Sequence, residues 1–284
     1  MMWWRRKSWY LLLLSLVLAS MVWIQMGMFL THLIFGVNLK LNFFKFCISL
    51  FRENSFYYFL VIFLLNTMIA YILLVTIGKV IAQIFLSFRF RKRLLNLKDH
   101  EMTRLYGTRL NRHEDLMIIK SDRILAFTTG IKNPVIVLST SLVQMLETEE
   151  LEAVVEHETF HKNNRDPLKI FILQVIAHSL WFIPLTKWCY ENFKIMSELM
   201  ADEYAVTKMG SEMSLGSALL KLIKNSFKTP STLVVQFSGE SVNFRLQQLV
   251  EPQKAIPVKL KLFHIVISIH VMLLLMGMVL FTLA

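Results

Sequence analysis

The sequence predicts a mainly α-helical integral membrane protein with a small α+β domain between its spanning helices. Of the 284 residues, 55% are hydrophobic and 22 are Phe, a composition too apolar for an ordinary soluble domain. Three long apolar runs are well separated along the chain, as spanning helices would be. The stretch between the second and third runs combines short apolar segments with turn residues, which is typical of a folded, water-facing domain.

Each apolar run is long enough to cross a bilayer, and we expect spans at about residues 10–34, 56–88 and 260–284. The first run follows a basic start but is too long for the apolar part of a signal peptide. The second exceeds the roughly 30 Å hydrocarbon thickness, so its helix should tilt or project beyond the membrane. The predicted organisation is an N-terminal membrane hairpin (1–88), a central domain (89–259) and a C-terminal transmembrane helix (260–284).

The formal net charge of +11 is spread along the chain, so we expect a membrane surface as its partner and no direct nucleic-acid binding. Basic residues cluster most tightly at 89–93, directly after the second apolar run, where they would contact anionic lipid. With the N-terminus inside, the positive-inside rule places the large basic loop in the cytoplasm and the C-terminus outside. The two cysteines, Cys47 and Cys189, cannot form a disulfide framework.

The pattern HExxH at residues 157–161 is the strongest chemical signal in the central domain. On a helix, residues four apart lie about 40° from one another, so His157 and His161 present both imidazoles on one face and can bind zinc. Glu158 is set to one side of this pair, where it can act as a general base. Thr148 as N-cap and the acids that follow it predict the helix. Surface histidines on an amphipathic helix are the alternative.

A third zinc ligand is needed, and Glu198 is the best candidate because a His2Glu site leaves the fourth position for water. Asp202, four residues later on the same helical face, can accept a hydrogen bond from a ligand histidine. The intervening apolar segment, 168–184, must return to the same side of the membrane, so we expect it to be re-entrant or a buried helix. The competing carboxylates are Asp166, Glu191 and Glu203.

Short apolar runs at 116–120, 124–127 and 134–138 predict strands. Pro134 at the start of its run indicates an edge strand, to which an extended substrate could add by backbone hydrogen bonding. A hairpin that only supports the motif helix is the alternative. Beyond the candidate site, 211–228 is expected to be an amphipathic helix and 229–257 to be irregular.

These features together resemble the BlaR/MecR family of integral-membrane zinc peptidases over roughly residues 115–210. HExxH followed by a glutamate and a nearby aspartate is also found in HtpX-type membrane proteases, whereas Asp-Pro-Leu and Trp-Phe-x-Pro are more particular to the BlaR/MecR group. The segments that carry the resemblance are 127–138, 149–161, 165–168, 181–184 and 198–202.

The resemblance implies a gluzincin-like peptidase domain with Zn2+ bound by His157, His161 and Glu198, and with Glu158 as catalytic acid/base. Its best-known members carry an extracellular penicillin-binding sensor after the last span, and their signalling ends in proteolytic loss of a winged-helix repressor of the BlaI/MecI type. The sequence stops at Ala284, so no such sensor is expected here.

The function expected from the sequence is that of a zinc-dependent endopeptidase in the bacterial cytoplasmic membrane, with its active site facing the cytoplasm. It would hydrolyse peptide bonds in a restricted protein substrate, for which a winged-helix transcriptional repressor is a candidate. Two alternatives remain open. One is an HtpX-like quality-control protease for membrane proteins, and the other is a non-catalytic, zinc-containing signalling protein.

Overall fold

The fold is described from a computed structural model, which covers residues 2–36, 42–226, 239–251 and 262–283. Helices dominate, and the strands lie together in the middle of the chain. In chain order the elements are α1 Met2–Phe35, α2 Phe43–Ser49, α3 Phe56–Asn96, α4 His100–Arg109, β1 Leu116–Ile119, β2 Ala126–Thr129, β3 Val135–Ser139, α5 Thr140–Met145, α6 Thr148–Asn163, α7 Asp166–Ser179, α8 Pro184–Met209, α9 Met213–Ser226, α10 Gly239–Val250 and α11 Leu262–Leu283.

The chain forms two compact units, and several helices contribute residues to both of them. We call the first the sheet unit, because it contains the strands. It comprises the described residues of Met1–Trp9, Ile84–Phe171 and Asn192–Pro257. We call the second the helical unit. It comprises the described residues of Tyr10–Gln83, Ile172–Glu191 and Val258–Ala284.

The helical unit is built around an apolar core between α1, the first part of α3 and the segment 172–191. Fully buried side chains such as Met26, Phe29 and Ile69 fill this core. Apolar surroundings penalise unpaired polar groups, and two buried polar residues of this core, Gln25 and Asn42, are hydrogen-bonded. The Asn42 amide donates to the carbonyl of Gln25, for example, and the Gln25 side chain accepts from the Phe43 amide, each at 3.0 Å.

Two helices in the described part of the chain are long and apolar enough to cross a membrane, Trp4–Phe35 and Phe56–Asn96. They contain the first two predicted spans. The third predicted span lies on α11, which is apolar and helical over Leu262–Leu283. Helix α7, in the segment expected to be re-entrant or buried, has only 14 residues, fewer than the roughly 20 that a span requires.

The sheet unit contains one three-stranded mixed sheet with the order β1-β3-β2. Strand β1 runs parallel to β3, and β2 pairs with β3 as an antiparallel hairpin. The prediction that the strand after Pro134 lies at an edge is therefore wrong. Pro134 precedes β3, so its missing N–H interrupts no ladder bond and β3 can take the central position. The edge strand that packs against α6 is β2.

The turn between β2 and β3 requires glycine at one position. Gly130 has φ +112°, and a Cβ there would lie 2.6 Å from the Asn133 carbonyl oxygen. Only glycine accepts this backbone conformation together with such a close approach. The turn thus fixes the register of the hairpin, in which Phe127 lies opposite Val137.

Helix α6 begins at Thr148, the residue that was expected to be its cap. Glu147, not Thr148, is the N-cap residue, and it forms a reciprocal capping box with Glu150. Thr148 instead accepts a 2.6 Å hydrogen bond from Arg109. The expected cap is wrong because two glutamates three residues apart satisfy the same backbone donors. Glu150 also accepts hydrogen bonds from α9, from Ser217 at 2.5 Å and Lys221 at 2.7 Å.

The predicted helix at 211–228 is present as α9. The expectation that 229–257 is irregular is wrong in part, since α10 extends over Gly239–Val250. The rest of that segment lies outside the described residues, apart from Glu251.

Candidate metal centre

Helix α6 presents His157 and His161 on one face, one turn apart. Their Nε2 atoms face each other at 3.2 Å, and the ring planes are nearly perpendicular, at 76°. Both residues are buried. This geometry follows from the four-residue spacing, which places side chains i and i+4 on the same helical surface.

Helix α8 contributes the third predicted ligand. Glu198 Oε2 lies 3.5 Å from His157 Nε2, and Glu198 Oε1 lies 3.6 Å from His161 Nε2. One potential ligand atom from each of the three residues lies within 4.8 Å of the other two. The structure therefore brings together the three side chains that the sequence nominates for the metal.

Each histidine has a carboxylate beside its Nδ1 atom. His157 Nδ1 lies 2.8 Å from Asp202 Oδ1, and His161 Nδ1 lies 2.8 Å from Asp166 Oδ2. A proton on each Nδ1 leaves the lone pair of each Nε2 directed into the site, as in the histidine sites of zinc enzymes. Asp166 was a competing candidate for the third ligand. It instead lies beside Nδ1 of His161, just as Asp202 lies beside Nδ1 of His157.

The carboxylate behind His161 is itself anchored. Ser197 donates to Asp166 Oδ2 at 2.5 Å, and Asn164 donates to Asp166 Oδ1 at 2.6 Å. Asp166 is fully buried, and it is the first residue of α7, after Arg165 has turned the chain through a left-handed conformation (φ 53°). The Asn-Arg-Asp-Pro segment therefore both ends α6 and places this carboxylate.

The donor set fits a divalent cation such as zinc. Two imidazole lone pairs 3.2 Å apart repel each other unless a cation or proton lies between them. Two nitrogens bound to one tetrahedral zinc at 2.0–2.1 Å would be about 3.3–3.4 Å apart. Two imidazoles and one carboxylate are also the ligands of His2Glu catalytic zinc sites, which keep one position open.

The electrostatics of the site favour added positive charge. Burial and the charge of Arg245 lower the pKa of His157, but Asp202 and Glu198 raise it by more, to about 9. Burial raises the pKa of Glu198. The hydrogen bond to His157 and the charge of Arg245 lower this pKa by more than burial raises it, so that the net shift is strongly downward. The carboxylate of Glu198 is thus held ionised.

Glu158 lies beside this cluster and is oriented by the edge strand. The Thr128 hydroxyl, on β2, lies 2.8 Å from Glu158 Oε2 and 2.9 Å from the Glu158 carbonyl oxygen. Glu158 is buried, and it lines the same cavity of about 220 Å³ as the three candidate ligands. Apolar residues of α9 (Leu215, Leu219, Leu222) complete the wall of that cavity.

Arg245, on α10, is a site residue that sequence reasoning missed. Its Nε and Nη2 atoms each lie 2.8 Å from an oxygen of Asp202, and Nη1 lies 3.1 Å from Glu198 Oε2. It is only 8% exposed, which is unusual for arginine unless it is paired. The one signal in the sequence is its position between Phe244 and Leu246, in a short stretch with helical spacing of apolar residues.

The two other carboxylates that competed for the third ligand position are not in the cluster. Glu191 forms an exposed pair with Lys187 at 3.8 Å in the helical unit. Glu203 follows Asp202 on α8, and the cluster of candidate ligands in the described residues does not include it.

Comparisons with known proteins show the family to which the chain belongs. The family model described as BlaR1 peptidase M56 matches residues 5–249. The regulatory protein BlaR1 of Bacillus licheniformis is 24% identical over 178 residues, which is 60% of this chain and 30% of the relative. The resemblance seen in the sequence is thereby confirmed, although the match spans less than a third of that relative. Because the family model covers most of the chain, the protein belongs to the M56 family of BlaR1-type peptidases.

Proposed function

We propose that the protein is a membrane-bound, zinc-dependent endopeptidase that cleaves a restricted protein substrate. The observation that carries this proposal is the cluster of His157, His161 and Glu198, whose ligand atoms lie within 4.8 Å of one another. Glu158 faces the same cavity. Membership of a peptidase family supports the reaction class, whereas a purely structural metal site would not need a buried base beside its ligands.

In this proposal His157, His161 and Glu198 hold the zinc ion. When bound, zinc would lower the pKa of a water molecule and polarise the peptide carbonyl. Glu158 takes a proton from the water while the oxygen of the water attacks the carbonyl carbon. Glu158 then gives that proton to the leaving amine as the C–N bond breaks, which returns the carboxylate to its starting state.

The remaining polar groups orient these residues. Asp202 and Asp166 hold the two imidazoles, each by a 2.8 Å contact to Nδ1. Arg245 keeps Asp202 and Glu198 in place through contacts of 2.8 and 3.1 Å. Such partners behind the ligands fix ring orientation and typically change metal affinity 10- to 100-fold when they are lost.

An extended stretch of the substrate would add to the free edge of β2. Strand β2 pairs only with β3 in the described sheet, and its residues Ala126, Phe127 and Thr128 line the cavity. Main-chain hydrogen bonds along an edge strand align a peptide without demanding a particular sequence. Specificity would then come from the side-chain pockets around the site.

The setting we propose is a bacterial cytoplasmic membrane, with α1, α3 and α11 as spans and the site facing the cytoplasm. The length and composition of α1 and α3 support this assignment. The basic residues at 89–93 and the basic N-terminus favour the inner side. The proposed substrate is a winged-helix repressor of the BlaI/MecI type, a choice suggested by the similarity to a regulatory protein.

The variant Glu158→Gln tests the mechanism. It should retain zinc, because the ligands are untouched, and lose peptide cleavage by at least about 100-fold, because the general base is gone. Zinc content and cleavage of a peptide library by the purified protein measure the two effects. Glu156→Gln, which alters a glutamate that pairs with Arg112 at 2.9 Å, is the matched control and should keep full activity. Unchanged proteolysis by Glu158→Gln would contradict the mechanism.

Substrate profiling in cells that express the wild type or Glu158→Gln tests the restricted range. One or a few cleaved partners would support a regulatory protease. Dozens of cleaved membrane proteins would instead indicate quality control of the HtpX kind.

A further inference from the structure

A second cavity of the sheet unit lies away from the candidate metal ligands. It has a volume of about 390 Å³, and it lies between the end of α3, which contributes Ile84–Leu95, and the β2–β3 turn at 129–135. None of the candidate ligands lines it. It therefore needs an explanation of its own.

One face of α3 supplies part of the apolar wall. Ile84, Phe88, Arg91 and Leu95 line the cavity, and their spacing of four, three and four residues places them on the same helical surface. Three of them are apolar and exposed, with Phe88 71% exposed. An exposed apolar stripe that faces a cavity is the kind of surface that binds an apolar ligand.

Basic side chains lie at the same cavity. Arg91 comes from α3 and Lys132 from the turn, and both line the cavity and are exposed. No ion pair joins either residue to an acid in the described part of the chain. A guanidinium and an ammonium group beside an apolar groove complement a ligand with an anionic head and a hydrocarbon tail.

We propose that this cavity binds an anionic phospholipid, with an acyl chain along Ile84 and Phe88 and the phosphate between Arg91 and Lys132. The inference rests on the proposed membrane location, because the apolar run of α3 continues directly into this basic segment. It differs from a diffuse attraction between a basic loop and a charged surface, since it requires these two cations and this groove.

The lipid would contact the strand that orients Glu158. Thr129 lines the lipid cavity, whereas its neighbour Thr128 makes the contacts to Glu158. The two cavities therefore share strand β2, whose residues Ala126, Phe127 and Thr128 line one and whose Thr129 lines the other.

The experiment measures retention of phosphatidylglycerol or phosphatidylcholine by the full-length protein, delipidated in neutral detergent, using native mass spectrometry. The wild type should bind one phosphatidylglycerol in preference to phosphatidylcholine. Arg91→Gln/Lys132→Gln should weaken that binding by about 10- to 30-fold. The matched control is Arg89→Gln/Lys92→Gln, which removes the same charge from α3 at exposed positions outside the cavity and should bind as the wild type does.

A third variant tests the acyl groove without changing charge. Ser87→Phe places a ring in the cavity and should abolish lipid retention while leaving zinc binding unchanged, which reports on folding. Equal losses in both double variants would overturn the proposal in favour of diffuse attraction. Retention by Ser87→Phe, or equally tight binding of inorganic phosphate or a phosphopeptide, would also overturn it. The proposed membrane location is tested separately by washing membranes with alkaline carbonate. Extraction of the protein by this wash would contradict that location.

Discussion

Arg245 shows how one side chain can tie the candidate ligands to a distant helix. Its guanidinium makes two contacts with Asp202 and one with Glu198, so it bridges the group behind His157 and a candidate ligand. Burying Asp202 would be costly without the contacts to Arg245, because an unpaired buried carboxylate is strongly destabilising.

The variant Arg245→Lys should weaken zinc binding by about 10-fold or more, because lysine keeps the charge but cannot form the planar two-bond contact with Asp202. Competition with a chromophoric chelator measures the affinity. Arg104→Lys, on the exposed surface of α4, is the control and should bind zinc as the wild type does. An Arg245→Lys protein with unaltered zinc affinity and kcat would contradict the positioning role.

The residues of the site differ in how far the sequence could predict them. His157, Glu158 and His161 were predictable because their spacing on a helix can be read from five consecutive residues. Glu198 and Asp202 are far from the motif in sequence. They could still be proposed, because the site needs a third metal ligand and a hydrogen-bond partner for a ligand histidine, and few carboxylates are available. Arg245 was not predictable, since a position between two apolar residues does not show which of the 31 basic residues folds inward.

At the scale of elements, α6 is held at its start by a network that reaches α9. Glu150 closes the capping box of α6 and accepts from Ser217 and Lys221. Glu150→Ala should lower the free energy of unfolding by about 1–2 kcal/mol, because the helix loses its reciprocal cap. Thermal unfolding in detergent measures the loss. The control, Glu152→Ala, changes a partly exposed glutamate of the same turn and should be nearly neutral; equal destabilisation by both would contradict the network.

The strands show where local pattern fails. The runs of apolar residues predicted three strands at nearly the right residues, because β-branched composition and turn residues are local signals. Strand order depends on contacts between residues far apart in sequence, which local pattern does not show. Pro134 would indicate an edge strand only if it lay within the strand, where its missing N–H would leave a ladder bond unmade. It lies just before Val135, so the inference from its missing donor did not apply.

At the scale of the whole molecule, the proposed topology places the loop around residue 53 outside the cell and the sheet unit inside. Single cysteines at two exposed positions, Glu53→Cys and Asp122→Cys, test this in a background that lacks Cys47 and Cys189. In intact cells a membrane-impermeant maleimide should label only the first, and permeabilised cells should show both. Labelling of Asp122→Cys in intact cells would reverse the orientation.

The central claim is that two histidines of α6 and a glutamate of α8 hold one zinc ion with an open position. X-ray absorption at the zinc edge of the purified protein tests it most directly, together with the metal content of the wild type and Glu198→Ala. We expect one zinc per chain with two imidazole nitrogens and oxygen donors, one of them exchangeable, and weaker binding in Glu198→Ala. Absence of bound metal after zinc loading, a sulfur ligand, or an unchanged zinc environment in Glu198→Ala would contradict it.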